Sequence, residues 1–573
     1  MAITWANILE WQTGPLDEIA QTLFEASQGL REAYEMGQDD LNAIQSEGEA
    51  VTAMRATTIS NLASLERALT NVNGALMAVE GARDGVGHIL AQVNDVVADA
   101  TTMQCEIKAD GSVHPMASAP KTDLVLIDAS ALAIRVKKIV EYADQVDTDL
   151  YHALADINND RYTDGDGANN EVAGVPDLPQ PNWSPSQNAA WWKSLTYEQQ
   201  QFLIDRRPDD IRHLDGLPAV ARDKANHHAL HGYLHADGKY RQGALKDAEE
   251  EAIEAQKEFD KAPLDGKRHL AKERLDRATE ALEDLIAIDT QTDDMTRRRK
   301  GLPPAYLLDF DYDKKYQRTT AIVSSGNPDT ATRVSTLVPG IGTNVRGDLG
   351  YYMEFNERLR KQTAHAGIDP NSVATISYLG YVAPKNSIPD GGIIQAADIG
   401  YANRAAPKLA QFEEGLRASA NANGHAFTNT LLTHSYGSTT GGKSATIMTP
   451  GTVDRLILAG SPGGGVQSID EYSVPKEHIY VSAVPEGDSV EGLGAVIEYG
   501  KDPRKLEGIT HLSGDATDSA EYTPYPNRIF STANHMSYFH EGTRTSQDFA
   551  NIVAGGNPTT DEEWAAIQKE RGK

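Results

Sequence analysis

The chain has 573 residues, a formal net charge of −30 at pH 7 and one cysteine, Cys105. A chain of this length exceeds one compact core, so we expect two or three domains. The acidic charge argues against nucleic acid or an anionic membrane as a partner, and the lone cysteine excludes an intrachain disulfide framework and a cysteine-rich metal site.

The N-terminus and the hydropathy pattern bear on localisation. Residues 1–5 contain no basic segment followed by an apolar one, so no conventional signal peptide is predicted. No run of about 18 apolar residues occurs, so no membrane-spanning helix is predicted. We therefore expect a soluble protein that is either cytoplasmic or exported without a cleaved signal peptide.

Residues 1–160 are predicted to form a helical bundle, with helices near 17–33, 59–97 and 130–157. In the second helix, apolar residues recur at alternating steps of three and four, which indicates lengthwise packing against other helices. The alternative is a module that docks a helical protein partner. The stripe consists of Leu62, Leu65, Leu69, Val72, Leu76, Val79, Val86, Leu90, Val93 and Val97. The third helix is expected to bury Val136, Ile139, Ala143, Val146, Leu150 and Leu154.

Two segments separate this region from the rest of the chain. Residues 156–166 alternate Asp and Asn like a calcium loop, but Arg161 occupies the position of the turn glycine and no Glu closes the loop. We therefore predict a solvated linker over 161–187 and no metal site. Residues 188–300 are predicted as a helical leader followed by a charged helical hairpin.

From residue 301 onwards short apolar runs alternate with helical patterns, which predicts an α/β domain over 301–573. The expected core is a mostly parallel eight-stranded sheet with flanking helices, and the first two strands are joined tightly. The predicted strands are 305–311, 319–324, 334–339, 373–379, 428–433, 454–460, 478–484 and 526–531.

The segment 429–438 follows the pattern of a nucleophile elbow. A β-branched and apolar strand runs into His434-Ser435-Tyr436-Gly437, and small residues follow. In such an elbow the chain turns sharply at the nucleophile and enters a helix. Ser435 is therefore the candidate nucleophile, and the alternative is a Ser/Gly-rich turn without chemistry. Its position after the fifth strand matches the α/β-hydrolase arrangement.

The remaining catalytic residues follow from the order Ser, acid, His along such chains. The acid belongs in the loop after the seventh strand, where Asp488 is the first choice and Glu486 the second. The histidine belongs after the last strand, where His535 is preferred to His540 because it lies nearer the strand. The acid would hold the imidazole in the correct tautomer.

Two backbone amides are also required to stabilise a developing oxyanion. The first is the N–H of Tyr436, directly after the nucleophile. The second should come from the loop after the third strand, at Ile341 or Gly342. The alternative is an ordinary strand-to-helix turn.

Several segments together resemble the actinobacterial α/β-hydrolases long catalogued as a domain of unknown function. The resemblance extends from about residue 185 to the end and includes the upstream segments Trp191-Trp192 and 214–218. It implies the hydrolase fold and a serine hydrolase mechanism, but no substrate. The similar segments are 337–343, 376–381, 433–438, 459–463 and 535–538. Residues Ser435, Asp488 and His535 match the triad positions.

Two further features concern the elbow and the N-terminal region. Thr433 occupies the position of the family's first elbow glycine, so we expect a relaxed turn or an altered activity.

Residues 1–160 resemble the WXG-type hairpin of type VII secretion substrates, although Ser46-Glu47-Gly48 replaces Trp-x-Gly and no Tyr-x-x-x-Asp/Glu tail follows. A type VII-like export route is one hypothesis that this resemblance raises.

The sequence thus leads to two functional hypotheses. The first is an esterase-like or lipase-like serine hydrolase that acts on a small-molecule or lipid ester and requires no cofactor. The preference for esters rests on the chemistry that the fold most often performs. The alternative is a secreted or partner-bound effector whose residues 1–160 mediate recognition, with the hydrolase body as toxin or scaffold.

Overall fold

The structure is a computed structural model that divides into two compact units, Met1–Gln200 and Gln201–Lys573. The finer division at residues 160, 187 and 300 stays a prediction. The structure describes residues 3–43, 48–120, 123–158, 178–195, 197–236, 238–263, 266–385, 398–484, 488, 499–517 and 532–571.

Long helices form most of the first unit. A short antiparallel hairpin, β1 and β2, pairs Cys105 with Pro115 in the region between the second and third predicted helices. The helices are Trp5–Ile8, Gly14–Ala43, Glu49–Thr102, Asp123–Asn158 and Pro185–Ser194, and the strands are β1 (Cys105–Ile107) and β2 (Val113–Pro115).

Five of the ten residues in the apolar stripe of the longest helix are buried, and four more are half-buried. Leu62, Leu76, Val79, Val86 and Val93 are all buried. The stripe provides part of the core of the unit, as the bundle hypothesis requires.

The stripe prediction is wrong at its carboxyl end. Val97 is 43% exposed, whereas Ile89 and Val96, outside the predicted stripe, are 0% exposed. A helix with 3.6 residues per turn drifts by about 20° per heptad relative to a strict seven-residue repeat, so the buried face leaves the stripe over a helix of 54 residues. Leu154, expected to face inward, is likewise 40% exposed near the end of its helix.

The second unit is built around one sheet and many helices. Its helices are Tyr197–Arg206, which spans the division between the units, Ala219–His231, Ala244–Lys261, Gly266–Thr292, Asp294–Arg299, Val345–Gln362, Gly400–Ala422, Tyr436–Ala445, Thr532–Met536, Arg544–Val553 and Asp561–Glu570. Its strands are β3 (Gly232–Leu234), β4 (Tyr240–Gln242), β5 (Ala305–Asp313), β6 (Arg318–Ser325), β7 (Arg333–Val338), β8 (Val373–Leu379), β9 (Thr428–His434), β10 (Arg455–Ala459), β11 (Ile479–Ser482) and β12 (Thr510–His511).

The main sheet has eight described strands in the order β12-β11-β10-β9-β7-β8-β6-β5. The pairs β5–β6 and β6–β8 are antiparallel and the other five pairs are parallel. This order confirms the predicted fold class, and seven predicted strands lie within two residues of observed ones. The predicted strand 526–531 lies outside the described residues, and the two-residue strand β12 was not predicted.

Both faces of the sheet are covered, which explains the nearly continuous apolar runs of its central strands. In β10, Leu456 and Leu458 enter the core on one face, and Ile457 enters the core on the other. The helix Gly400–Ala422 contributes Leu409 to the first face. The charged hairpin of Ala244–Lys261 and Gly266–Thr292 contributes Leu285 to the second.

No described helix combines the length and apolar character that crossing a bilayer requires.

Glu413 is a buried acid under the first face of the sheet. Its side chain is 0% exposed, and Asn429 Nδ2 donates to Oε2 at 2.8 Å. Burial raises the pKa of Glu413 to about 7, with the hydrogen bond from Asn429 opposing this shift. The folded chain therefore retains this proton where an unfolded chain has lost it.

We predict that Glu413→Gln removes part of the pH dependence of stability. The parent should lose stability as pH rises from about 4.5 to about 7, because the unfolded carboxyl ionises first and the folded one is then forced to ionise while buried. The full loss is on the order of 3 kcal/mol. Unfolding midpoints at pH 5 and pH 8 measure it. The exposed Glu507→Gln variant should keep the parent difference, and the same difference in Glu413→Gln would contradict the prediction.

Candidate active site

Ser435 lies at a sharp turn between a strand and a helix. It follows β9, directly precedes the helix Tyr436–Ala445, and has φ 58° and ψ −132°. A side chain in this region of backbone space costs on the order of 1–3 kcal/mol and persists only where the surroundings enforce it. Here the Ser435 N–H donates to the Ala459 carbonyl at 3.0 Å, and the Ser438 N–H donates to the Ser435 carbonyl at 2.9 Å.

Close packing of backbone and side chain also enforces the turn. A Cβ atom at Gly340 would collide with Ser435 Cβ and would stand 2.7 Å from its Oγ. A Cβ at Gly437 would collide with the carbonyls of Val338 and Pro339. Glycine is therefore required at both positions, and the loop after β7 lies directly against the Ser435 side chain.

We expected that Thr433, in place of glycine, would relax the turn at Ser435 or alter the activity. The first expectation is wrong, because the turn keeps its strained backbone at Ser435. Its side chain is buried, and its hydroxyl donates to the Ile457 carbonyl at 2.7 Å. The methyl carbon Cγ2 occupies space that a Cβ at Gly441 would need. The elbow accommodates a β-branched residue because the facing helix position is glycine. The alternative expectation, an altered activity, stays a prediction.

Asp488 and His535 are in direct contact. The Asp488 Oδ1 and His535 Nδ1 atoms are 2.7 Å apart, and both residues are buried. A carboxylate only accepts hydrogen bonds, so His535 carries its proton on Nδ1 when neutral and Nε2 keeps the lone pair. Glu486 lies outside the described residues. His540 is partly exposed, beyond the turn Ser537–Phe539.

Tyr538 is a site residue that the sequence did not single out. Its hydroxyl donates to Asp488 Oδ2 at 2.8 Å and accepts from the Val484 N–H at 2.9 Å. Tyr538 therefore fixes the second carboxylate oxygen and connects it to the chain after β11. No sequence signal marked this role, because the contact joins residues 50 positions apart along the chain.

The Asp488–His535 pair lies beside the elbow. The imidazole of His434, the residue before Ser435, lies against that of His535, with ring centroids 4.5 Å apart and ring planes at 34°. A Cβ at Gly460, directly after β10, would stand 3.2 Å from both Asp488 Oδ2 and His535 Cε1. The structure thus gathers these residues at the carboxyl ends of β9, β10 and β11.

The amide of Gly342 is already engaged, so Gly342 is wrong as an oxyanion donor. Its N–H donates to the Pro384 carbonyl at 2.7 Å. Ile341 remains the candidate in this loop. The Tyr436 N–H is the first of its helix and has no intrahelical acceptor.

The Tyr436 side chain connects the elbow to the start of the helix Gly400–Ala422. Its hydroxyl donates to the Asp398 carbonyl at 2.6 Å and accepts from the Ala402 N–H at 3.2 Å.

Within the described residues, no three His, Cys, Asp or Glu side chains converge as metal ligands. The Asp/Asn-rich segment 156–166 is described only up to residue 158.

We predict that Gly441→Ala destabilises the chain and that Thr433→Ser reverses the effect. The new methyl group meets Thr433 Cγ2, and overpacking of this kind costs about 1–3 kcal/mol. Serine removes that methyl and retains the hydroxyl that donates to Ile457. Denaturant unfolding of both single variants and the double variant forms a double-mutant cycle. Strictly additive effects would contradict the packing argument.

Residues 314–498 match the sequence model of a protein family described as Alpha/beta hydrolase. The matched segment contains Ser435 and Asp488, and His535 lies beyond it. Together with the strand order, the match gives the second unit the α/β-hydrolase fold and supports a hydrolase.

Two mycobacterial relatives illustrate the similarity at different lengths. The chain is 24% identical to the Uncharacterized protein Rv2079 of Mycobacterium tuberculosis strain H37Rv over 596 residues, which cover 94% of this chain and 82% of the relative. It is 29% identical to the Uncharacterized protein Mb0988c of Mycobacterium bovis over 220 residues, which cover 37% of this chain and 77% of the relative. No solved structure matches the chain.

Proposed function

We propose that the chain is a serine hydrolase that acts on carboxylic esters. The observation that carries the proposal is a serine with strained backbone, Ser435, beside a buried His535–Asp488 pair at the carboxyl end of a mostly parallel sheet. In this proposal Ser435 is the nucleophile, His535 the general base and acid, and Asp488 the residue that orients the imidazole.

The proposed reaction has two halves. Ser435 Oγ forms a bond to the ester carbonyl carbon while its proton passes to His535 Nε2, and His535 then donates that proton to the departing alkoxide. Water attacks the resulting acyl-serine and gives a proton to the same nitrogen. The bond between the acyl carbon and Ser435 Oγ then breaks, His535 returns the proton to Oγ, and the carboxylic acid leaves. Throughout, Asp488 stabilises the imidazolium that forms.

The proposed oxyanion site consists of the Tyr436 and Ile341 amides. The Tyr436 N–H lies at the start of a helix, where the helix dipole also favours negative charge. The contact between Gly340 and the Ser435 side chain supports the assignment of the neighbouring Ile341. Loss of one such donor typically costs about 10²–10³ in rate.

A small-molecule or lipid ester is the proposed substrate. The family match supports hydrolysis, and the step from hydrolysis to esters rests on what the fold most often does.

The effector alternative concerns the first unit. The stripe residues Leu76, Val79 and Val86 are buried within that unit, so they do not offer a free docking face. A helical partner of residues 1–160 would have to use other side chains, such as the exposed Ile134 and Tyr151. This partner and a type VII-like export route stay hypotheses. Capture of a helical protein by the full chain, lost in an Ile134→Asp and Tyr151→Asp variant, would support the first.

We predict covalent labelling of Ser435 by a fluorophosphonate probe. The parent should be labelled in a time-dependent manner and Ser435→Ala should not, because the probe bonds only to an activated nucleophile. Ser372→Ala is the matched control, since this serine directly precedes β8 and so lies at the amino ends of the parallel strands, away from Ser435. Equal labelling of Ser435→Ala and the parent would contradict the proposal, and so would the absence of labelling in the folded parent.

We also predict graded effects at the acid. Asp488→Asn should slow labelling by about 10⁴-fold, because the amide favours the wrong imidazole tautomer. Tyr538→Phe should slow it by about 10-fold to 100-fold, since one charge-assisted hydrogen bond to Asp488 is lost. Labelling rates under identical conditions measure both. Parent-like rates in Asp488→Asn would remove Asp488 from the mechanism.

A further inference from the structure

His434 connects the strand that carries Ser435 to the turn that carries His535. It is the last residue of β9 and is 1% exposed. Its Nε2 lies 2.8 Å from the carbonyl oxygen of His535. A carbonyl oxygen only accepts, so His434 Nε2 carries the proton and Nδ1 carries the lone pair.

The His434 ring is enclosed on several sides. Besides lying against the tilted His535 ring, the His434 ring has its centroid 5.5 Å from that of Tyr538 and 4.7 Å from that of Phe539. The titratable groups that face it are His535, Tyr538 and, through its charge, Asp488. Burial lowers the pKa of His434 to about 3, and the nearby His535 adds to this effect. His434 is therefore neutral at physiological pH.

We propose that His434 is a positioning residue that sets the spacing between Ser435 and His535. Its N–H bond to the His535 backbone joins the two backbone segments directly, and its ring supports the face of the His535 imidazole. The inference rests on the proposed function, because the spacing matters only if the two side chains exchange a proton.

One observation separates this role from simple core packing. His434 Nδ1 is buried without a hydrogen-bond partner among the described residues, a cost that an apolar residue of similar size would avoid. An apolar residue would lack the Nε2–H group that donates to the His535 carbonyl, and histidine keeps it. A neutral ring also avoids like-charge repulsion with the imidazolium of His535 during the reaction, which a cationic residue here would cause.

The test compares three substitutions at position 434. His434→Phe keeps a ring and removes the donor, His434→Gln keeps a donor with similar reach, and His434→Asn carries a donor on too short a side chain. Misplacement by about 1 Å can cost about 10² in rate. We therefore expect His434→Phe and His434→Asn to lower kcat for a p-nitrophenyl ester about 100-fold with little change in KM. His434→Gln should stay within about 10-fold of the parent.

Circular dichroism and thermal unfolding establish which variants are folded. If His434→Phe does not fold, the comparison of His434→Gln with His434→Asn carries the test. Equal rates in His434→Gln and in a folded His434→Asn or His434→Phe would overturn the proposal, and so would a parent-like rate in His434→Phe.

A spectroscopic readout separates this proposal from the proposed function. The Nδ1 proton between His535 and Asp488 should give a low-field proton resonance that Asp488→Asn removes. We expect this resonance in the parent and in His434→Gln, and its loss or broadening in His434→Phe. A parent with the resonance but without Ser435-dependent labelling would refute the hydrolase proposal alone. A sharp resonance in His434→Phe would refute the positioning role.

Discussion

The arrangement of the site depends on one constraint, the close approach of the Ser435 turn to the loop after β7 and to β10. Ser435 has a backbone conformation that side chains rarely adopt, and the Ala459 carbonyl and the start of the following helix hold it there. The approach is possible only because Gly340 and Gly437 have no side chains. The free energy of folding offsets the unfavourable backbone conformation of Ser435 before any substrate binds. The side chain is therefore already oriented for reaction.

From this turn, contacts extend across three neighbouring strand ends. His434 reaches the backbone of His535, His535 contacts Asp488, and Tyr538 fixes the other oxygen of that carboxylate. Because β9, β10 and β11 are adjacent and parallel, residues far apart along the chain meet at the carboxyl ends of these strands. Asp488 is buried, and both of its carboxylate oxygens have hydrogen-bond partners. Little solvent screens its interaction with the imidazole.

Sequence patterns predicted most of the fold, because each long strand carries its own apolar run between turn residues. The elbow was visible for the same reason, as a strand that ends in His434-Ser435-Tyr436-Gly437. The strand β12 has only two residues and therefore no pattern. The engagement of the Gly342 amide, the role of Tyr538 and the accommodation of Thr433 by Gly441 all depend on tertiary neighbours. Composition and spacing carry no information about such neighbours.

The most direct measurement of the central claim is a crystal structure of the chain after reaction with a phosphonate ester. The account predicts a covalent bond between Ser435 Oγ and phosphorus, with the phosphoryl oxygen about 2.7–3.1 Å from the N–H groups of Tyr436 and Ile341. It also predicts that His535, still bonded to Asp488, faces the modified serine. A phosphonate attached to another residue, or a phosphoryl oxygen directed away from both amides, would contradict it.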